Sequence, residues 1–462
     1  MFTPTVHNIN FSIFNLENIM NSTAIRIESS SKRIDLIDII RGFALLGVII
    51  VNACAFNSPS WMDEEANFAF QTTLLDEIFT RGVFFACVEK FVTIFAFLFG
   101  FSAAIFFRNM QERKLNAHFW HLKRMFFLLL FGILHVLFVW WGDILVIYSL
   151  MGMLLVLFFT LDGKKLFSLA SIFLAVALIL TTSVALQGES KNKESNKPDT
   201  PQVSKGISTN SVDTSNANDD GQDDSDDEDE EVDENDRNSA ELVTLQEPTQ
   251  DQPADMQMVY QTGSFIELIP IRVKHYLELN ISGFFDDWES SFLFLSYYLR
   301  LFSFFLLGMG AMRLNLLQAI QNHLTCSKII CGCFLVIGIL QNILYANSEF
   351  WFAAFAPVRG LGLAGFYFLA LVILFQASIG KIILRPLQYL GRMTLTSYLS
   401  FSIMTSLLLY GYGLGLYGRV GPMTMTIIAA IYFIAFTTIS HFWLRCFKQG
   451  PFEKVWRLLT YW

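Results

Sequence analysis

The chain has 462 residues, of which 53% are hydrophobic and only 16% are charged. Soluble globular domains usually carry about 25% charged residues, so this composition excludes an ordinary soluble protein and favours a surface that faces lipid. The formal net charge of −9 conceals a basic body, because residues 188–255 alone hold 21 acidic and 5 basic residues and the remainder therefore carries +7. The sequence contains no Walker-type phosphate loop, nucleophile elbow or basic–aromatic face, which argues against ATP-driven transport by this chain alone and against a nucleic-acid partner.

Ten apolar stretches follow one another along the chain, each near the ~20 residues that cross a bilayer as a helix. They cover roughly 39–56, 83–107, 124–141, 144–160, 166–187, 291–312, 327–346, 353–376, 393–410 and 423–444. They lack the alternating pattern of membrane strands. The sequence therefore predicts an all-α polytopic protein with about ten transmembrane helices, whose partner is the lipid bilayer.

The charges in the links predict the orientation of these helices. Lys and Arg are concentrated before the first span, in every second link and after span ten, whereas links 57–82, 347–352 and 411–422 contain few basic residues. Because basic loops stay in the cytoplasm, both termini are predicted to be cytoplasmic.

The segments outside the spans divide the chain into four parts. A leader of residues 1–32, predicted to be disordered, precedes an N-terminal membrane half (33–187) with five helices. The acidic insert 188–255 is predicted to be disordered and exterior, because it cannot bury enough apolar surface to offset its ordering entropy. The C-terminal membrane half (256–462) combines an amphipathic, interfacial helix near 263–281 with five spanning helices.

Several polar residues lie inside the predicted spans, where they are costly and therefore candidates for function. The candidate substrate-binding residues are Asp38, Arg41, Asn52, Lys90, Arg300 and Arg359. A structural interpretation remains open for some of them. Asp38 and Arg41 could pair at i, i+3 and stabilise a helix end. Lys90 could extend its charged end to the membrane–water interface.

A catalytic pair is the second candidate site. His135 lies in the outer half of span three, and Asp143 ends the short turn Trp140-Trp141-Gly142-Asp143. Imidazole is suited to general-base catalysis, and Asp143 could orient it, but direct contact requires the turn to fold back. Alternatively, His135 hydrogen-bonds a neighbouring helix. No metal site is predicted.

Four stretches in order carry a family resemblance. They are Arg33–Gly47 with Asn52; Lys90-Phe91 and Leu98-Phe99-Gly100; Gly132–His135 with Trp141–Leu145 and Tyr148; and Gly391–Tyr398 with Gly450–Glu453, Trp456 and Arg457. Together they resemble the bacterial YeiB-like family of inner-membrane proteins, whose C-terminal half is labelled domain of unknown function 418. The resemblance covers about 33–187 and 256–461, and implies a multi-pass protein of the bacterial inner membrane.

The opening Asp38-x-x-Arg41-Gly42 is also distantly similar to transmembrane acyltransferases, including the lysosomal heparan glucosamine acetyltransferase. Those enzymes carry an acyl group from coenzyme A to an acceptor sugar, and their catalytic His lies in the loop after the first span. Here that loop, 57–82, contains no His. The departure either excludes that mechanism or moves the base to His135.

Three functions follow as hypotheses. The first is an acyltransferase-like enzyme that uses acyl-coenzyme A and modifies a cell-envelope glycan or small molecule. The second is a small-solute transporter or exporter in which Arg300 and Arg359 bind an anionic substrate. The third is a non-enzymatic envelope component. The substrate and the oligomeric state are left open by the sequence.

Overall fold

The computed structural model describes residues 35–57, 73–195 and 253–462, and within these ranges every regular element is a helix. Short 3₁₀ segments cover Leu155–Phe158, Ser282–Phe284 and Ala356–Val358. The α-helices are α1 (Asp35–Phe56), α2 (Leu74–Ala86), α3 (Lys90–Glu112), α4 (Ala117–Phe138), α5 (Leu145–Leu154), α6 (Gly163–Ser195), α7 (Pro253–Thr262), α8 (Leu268–Asn280), α9 (Trp288–Arg313), α10 (Leu316–Asn322), α11 (Leu324–Ala346), α12 (Glu349–Ala354), α13 (Leu361–Leu374), α14 (Ser378–Gly391), α15 (Thr394–Leu409), α16 (Pro422–Cys446) and α17 (Pro451–Tyr461).

Eight helical segments are long and apolar enough to cross a membrane, and two shorter apolar helices, Leu145–Phe158 and Thr394–Leu409, occupy the positions of the other two predicted spans. The predicted class, an all-α polytopic membrane protein, is confirmed. The location of both termini remains a prediction.

Two of the predicted spans are interrupted. The stretch predicted as one span over 83–107 belongs to two helices, because α2 ends at Ala86 and α3 begins at Lys90. The stretch 353–376 is likewise broken before α13, which begins at Leu361. Since α3 alone has 23 residues, and a helix rises about 1.5 Å per residue, it can cross the hydrocarbon without α2.

Helices α1, α3 and α9 form the centre of the bundle, and Ile40, Ala44, Leu45 and Ile49 of α1 have no exposed surface. By contrast, only 11% of the most apolar stretch of α11 is buried inside the protein. Side chains such as Ile329 and Val336 point outward from it. In lipid an exposed apolar side chain carries no hydrophobic penalty, so the polar residues of the central helices stand out as the unusual ones.

The central helices approach closely at glycines. A Cβ on Gly100 of α3 would collide with the carbonyl oxygen of Phe305 on α9, and a Cβ on Gly308 would collide with that of Phe97. Similarly, α1 and α14 cross at Gly42 and Gly391. Such small residues let membrane helices pack backbone to backbone.

Gly308→Ala is therefore expected to destabilise the protein by about 1–3 kcal/mol, because the added methyl group forces α3 and α9 apart. A melting curve of the purified protein in detergent should show a lower midpoint. Gly332→Ala on lipid-facing α11 is the matched control, since a Cβ there meets nothing within 4 Å. Equal midpoints for the two variants would contradict the close crossing.

The leader 1–32 lies outside the described residues, as does most of the acidic insert 188–255, so their predicted disorder stays a prediction. At the insert's edges, α6 extends to Ser195 and α7 begins at Pro253. The segment predicted as amphipathic over 263–281 forms α8, and its Arg272 is completely buried. Arg272 donates to the carbonyl of Leu137 and to the hydroxyl of Tyr412, so α8 packs onto the bundle.

Candidate functional site

The turn after α4 brings His135 and Asp143 together. The backbone N–H groups of Val139 and Trp140 both donate to the carbonyl of His135, and that of Asp143 donates to Trp141, so the chain reverses at once. His135 Nδ1 then lies 2.9 Å from Asp143 Oδ1, and both side chains are fully buried. The two atoms are close enough to interact, but the geometry of the contact does not meet the alignment of a hydrogen bond.

Asp143 also has a structural role at the start of α5. Its Oδ2 accepts a 2.7 Å hydrogen bond from the backbone N–H of Val146. A Cβ on Gly132 would come within 3.0 Å of that oxygen and 2.7 Å of the Val146 nitrogen. The small residue on α4 therefore lets the turn pack against the helix and place the carboxylate beside His135.

His135 Nε2 has no hydrogen-bond partner among the described residues. The ring lies 5.2 Å from that of Tyr398 on α15. The geometry leaves Nε2 available to take a proton, while its enclosure means that a substrate reaches it only if the surrounding helices separate.

A second polar cluster forms where the two interrupted helices meet. Glu89, between α2 and α3, has φ = 66°, and Gly360, just before α13, has φ = 83°. A Cβ on Gly360 would lie 3.3 Å from the backbone nitrogen of Lys90, so the two breaks are in contact. The N-termini of α3 and α13 consequently converge at one point.

Glu89 is the centre of this cluster. Its Oε1 lies 3.1 Å from Arg300 Nη1 on α9. The guanidinium of Arg359 binds both carboxylate oxygens, Nε to Oε2 and Nη2 to Oε1, each at 3.1 Å. Bidentate pairs of this kind are among the strongest polar contacts in proteins. We name Glu89, Lys90, Arg300 and Arg359 the break-point cluster.

Other groups hold the cations of the break-point cluster in place. Arg300 Nη1 also donates to the carbonyl of Ala356 at 3.2 Å. The Arg359 guanidinium lies 3.6 Å from the centre of the Phe352 ring. Lys90 Nζ donates to the carbonyl of Phe84 at 3.1 Å and to Asn342 Oδ1 at 3.2 Å. Lys90 is only 2% exposed, so the alternative that it extends to an interface is wrong.

The break-point cluster has an excess of positive charge. Among its described side chains, the guanidinium groups of Arg300 and Arg359 contact the single carboxylate of Glu89. The Lys90 ammonium is the third cation at the break, so the formal balance is +2. Lys90 and Arg300 are both buried. Buried charges are normally balanced, because an uncompensated ion pays a large desolvation cost. The arrangement is therefore suited to receive an anion.

The six residues predicted to bind substrate do not form one site. Asp38 and Arg41 pair with each other at 2.9 Å in the first turns of α1, and Arg41 donates to Ser102. Asn52 is half-buried farther along α1. Apart from the pair of Asp38 and Arg41, the residues that come together are Lys90, Arg300 and Arg359, at the break-point cluster. Glu89 lies in the same predicted span as Lys90, but it was not among the six residues predicted to bind substrate, although a carboxylate inside a predicted span is a signal of function.

These features define the class: an all-α polytopic membrane protein with buried ionisable clusters. Residues 311–462 match the family described as "Protein of unknown function (DUF418)". The chain is 29% identical to the "Uncharacterized protein YxaH" of Bacillus subtilis (strain 168), over 94% of this chain and 95% of that protein. It is 31% identical to the "Uncharacterized protein YeiB" of Escherichia coli (strain K12), over 26% of this chain and 29% of that protein.

A third relative is the "Uncharacterized 39.9 kDa protein in amylase 3'region" of Bacillus acidopullulyticus, which is 24% identical over 93% of this chain and 94% of its own length. No solved structure is significantly similar to the chain. These matches support the resemblance to the YeiB-like DUF418 family, by the family model over residues 311–462 and by the Bacillus subtilis relative over nearly the whole chain.

Proposed function

We propose that the protein binds a small anionic solute at the break-point cluster and transports it across the membrane. The observation that carries this proposal is the buried excess of positive charge at the meeting point of two interrupted helices. A monocarboxylate would offset half of the +2 balance of Lys90, Arg300, Arg359 and Glu89, and a phosphate dianion would offset all of it. Within a membrane such ionisable clusters mark substrate pathways.

The backbone supports the same conclusion. The first N–H groups of a helix have no intrahelical acceptor, and the helix dipole makes that end positive. Here the N-termini of α3 and α13 meet beside the three cations. Membrane transporters use interrupted helices in this way, with the N-terminus of a half-helix directed at an anionic substrate group.

In this proposal Glu89 acts as an internal anion that the solute displaces. In this structure the Glu89 carboxylate forms ion pairs with the guanidinium groups of Arg300 and Arg359. An incoming carboxylate or phosphate competes for the same guanidinium donors, and the two helix breaks absorb the accompanying backbone movement. The breaks are suited to it because non-helical backbone already separates the elements there.

Arg300→Gln is expected to weaken anion binding by about 10–100-fold, since a hydrogen bond to a charged group contributes about 1.5–3 kcal/mol. Purified protein would be titrated with acetate, succinate, inorganic phosphate and glucose 6-phosphate, with glucose as the uncharged probe. Arg313→Gln is the matched control, because Arg313 lies on the same helix but binds the carbonyl of Phe159. Uptake of the bound anion into proteoliposomes tests the transport step.

Binding of none of the four anions to the wild type, or equal binding by the Arg300→Gln and Arg313→Gln proteins, would refute the proposed site. Binding without uptake would retain the site and reject transport.

Acyl transfer is the second candidate, and the contact of His135 with Asp143 favours it. Nε2 would accept the proton of an acceptor hydroxyl as its oxygen forms a bond to the thioester carbonyl carbon. The carbon–sulfur bond then breaks, and the departing thiolate of coenzyme A takes up the proton. Thermal protection of the purified protein by acetyl-coenzyme A, with none by the small anions, would favour this candidate over transport.

A further inference from the structure

A basic cavity lies at the N-terminal end of α1. It has a volume of about 420 Å³ and lies between the first turn of α1 and helix α14. Lys381, Arg385 and Arg392 line it, together with Asp35 and Gln388. The close crossing of α1 and α14 at Gly42 and Gly391 holds the two walls together.

The cavity is positively charged. Its three cations face one carboxylate, that of Asp35, which accepts a 2.6 Å hydrogen bond from Gln388 Nε2. The spacing of four and seven residues places Lys381 and Arg385 on one face of α14, with Arg392, the residue directly after the helix, on the same side. Lys381 and Arg385 are exposed, so their charged ends reach a ligand without any movement of the fold.

The neighbouring face of α14 is apolar and uncovered within the described chain. Ile379, Ile382 and Ile383 follow the helical spacing i, i+3, i+4, and are 71%, 74% and 61% exposed. In a membrane protein such a face contacts acyl chains, and the cations beside it then lie at the level of the lipid headgroups. A helix with isoleucines on one face and cations on the next is complementary to an anionic phospholipid.

We propose that this cavity is a binding site for an anionic phospholipid, with its phosphate between Lys381, Arg385 and Arg392 and an acyl chain along the isoleucine face. Two features distinguish the site from ordinary basic residues near a membrane: the cations line one concave volume, and the same helix carries an uncovered apolar face. The proposal stands on α14 and the start of α1 alone and does not depend on the proposed function.

The test is the melting temperature of the purified protein in detergent, titrated with phosphatidylglycerol, phosphatidylcholine or inorganic phosphate. We expect phosphatidylglycerol to raise the melting temperature of the wild type by several degrees. The double variant Lys381→Gln/Arg385→Gln should lose this response. Lys454→Gln/Arg457→Gln is the matched control, because it removes the same charge from the amphipathic helix α17 and should respond as the wild type does.

An equal response of both double variants would overturn the proposal, because it would show general attraction of a basic surface to the lipid. An equal response to inorganic phosphate would also overturn it, because the ligand would then be a free anion. Phosphatidylcholine should have no effect, and stabilisation by it would show that the phosphatidylglycerol headgroup is not recognised.

Discussion

Glu89→Gln is expected to lower the stability of the protein sharply and to make that stability depend on added anions. The substitution removes the only carboxylate in contact with Arg300 and Arg359 in the described chain and raises the formal balance of the break-point cluster from +2 to +3. Breaking a buried ion pair on one side costs about 3–5 kcal/mol, because the remaining charges are left uncompensated. The measurement is the melting temperature in detergent with and without inorganic phosphate or acetate.

Glu77→Gln is the matched control for this experiment. Glu77 forms an ion pair with Arg81 on α2, but the side chain of Arg81 is 74% exposed and that of Glu77 is 44% exposed. Surface pairs of this kind contribute about 0–1 kcal/mol, so the control should melt close to the wild type at every anion concentration. The double variant Glu89→Gln/Arg359→Gln should recover part of the lost stability, since it removes one of the uncompensated cations.

A Glu89→Gln protein that melts like the wild type and ignores phosphate would contradict the electrostatic account of the break-point cluster. Loss of stability without any rescue by anions would assign Glu89 a structural role and remove the main support for anion binding.

Under the acyl-transfer candidate, His135→Ala is expected to abolish the reaction while leaving the fold nearly intact. A general base contributes about 10²–10⁴-fold in rate, and His135 Nε2 has no other partner among the described residues. His135→Asn should not restore the rate, because an amide cannot accept the proton. Transfer of a labelled acetyl group from acetyl-coenzyme A to envelope glycans measures the rate, and a melting curve controls for folding.

Asp143→Asn separates the two roles of that residue. The amide oxygen can still accept the Val146 N–H that Asp143 now binds, so the start of α5 should survive. The negative charge beside His135 Nδ1 is lost, so the rate of acyl transfer should fall while the melting temperature is retained.

Full restoration of function by His135→Asn would show instead that His135 only connects neighbouring helices by hydrogen bonds.

The names of the relatives do not favour one candidate function over another. All three relatives are described as uncharacterised, so their descriptions support neither transport nor acyl transfer. Binding of small anions and protection by acetyl-coenzyme A therefore come first, because each is measured on the purified wild-type protein and requires no knowledge of the final substrate.

The sequence by itself determined the class of protein and the positions of most spans. Helices must satisfy their own backbone in lipid, and the bilayer has a nearly constant thickness, so apolar runs of the right length predict membrane-crossing helices directly. The same reasoning selected His135, Lys90, Arg300 and Arg359, because an ionisable residue within such a run is unusual enough to notice in isolation.

Only the tertiary structure decided which of these residues meet. Glu89 adopts a left-handed conformation that ordinarily favours glycine, so no local signal marked the break between α2 and α3. Its partners lie more than 200 residues away on α9 and before α13, and a one-dimensional pattern cannot encode the helix packing that unites them. The contact of His135 with Asp143 likewise required the turn to close against Gly132, whereas Asp38 and Arg41, one helical turn apart, could pair through local geometry alone.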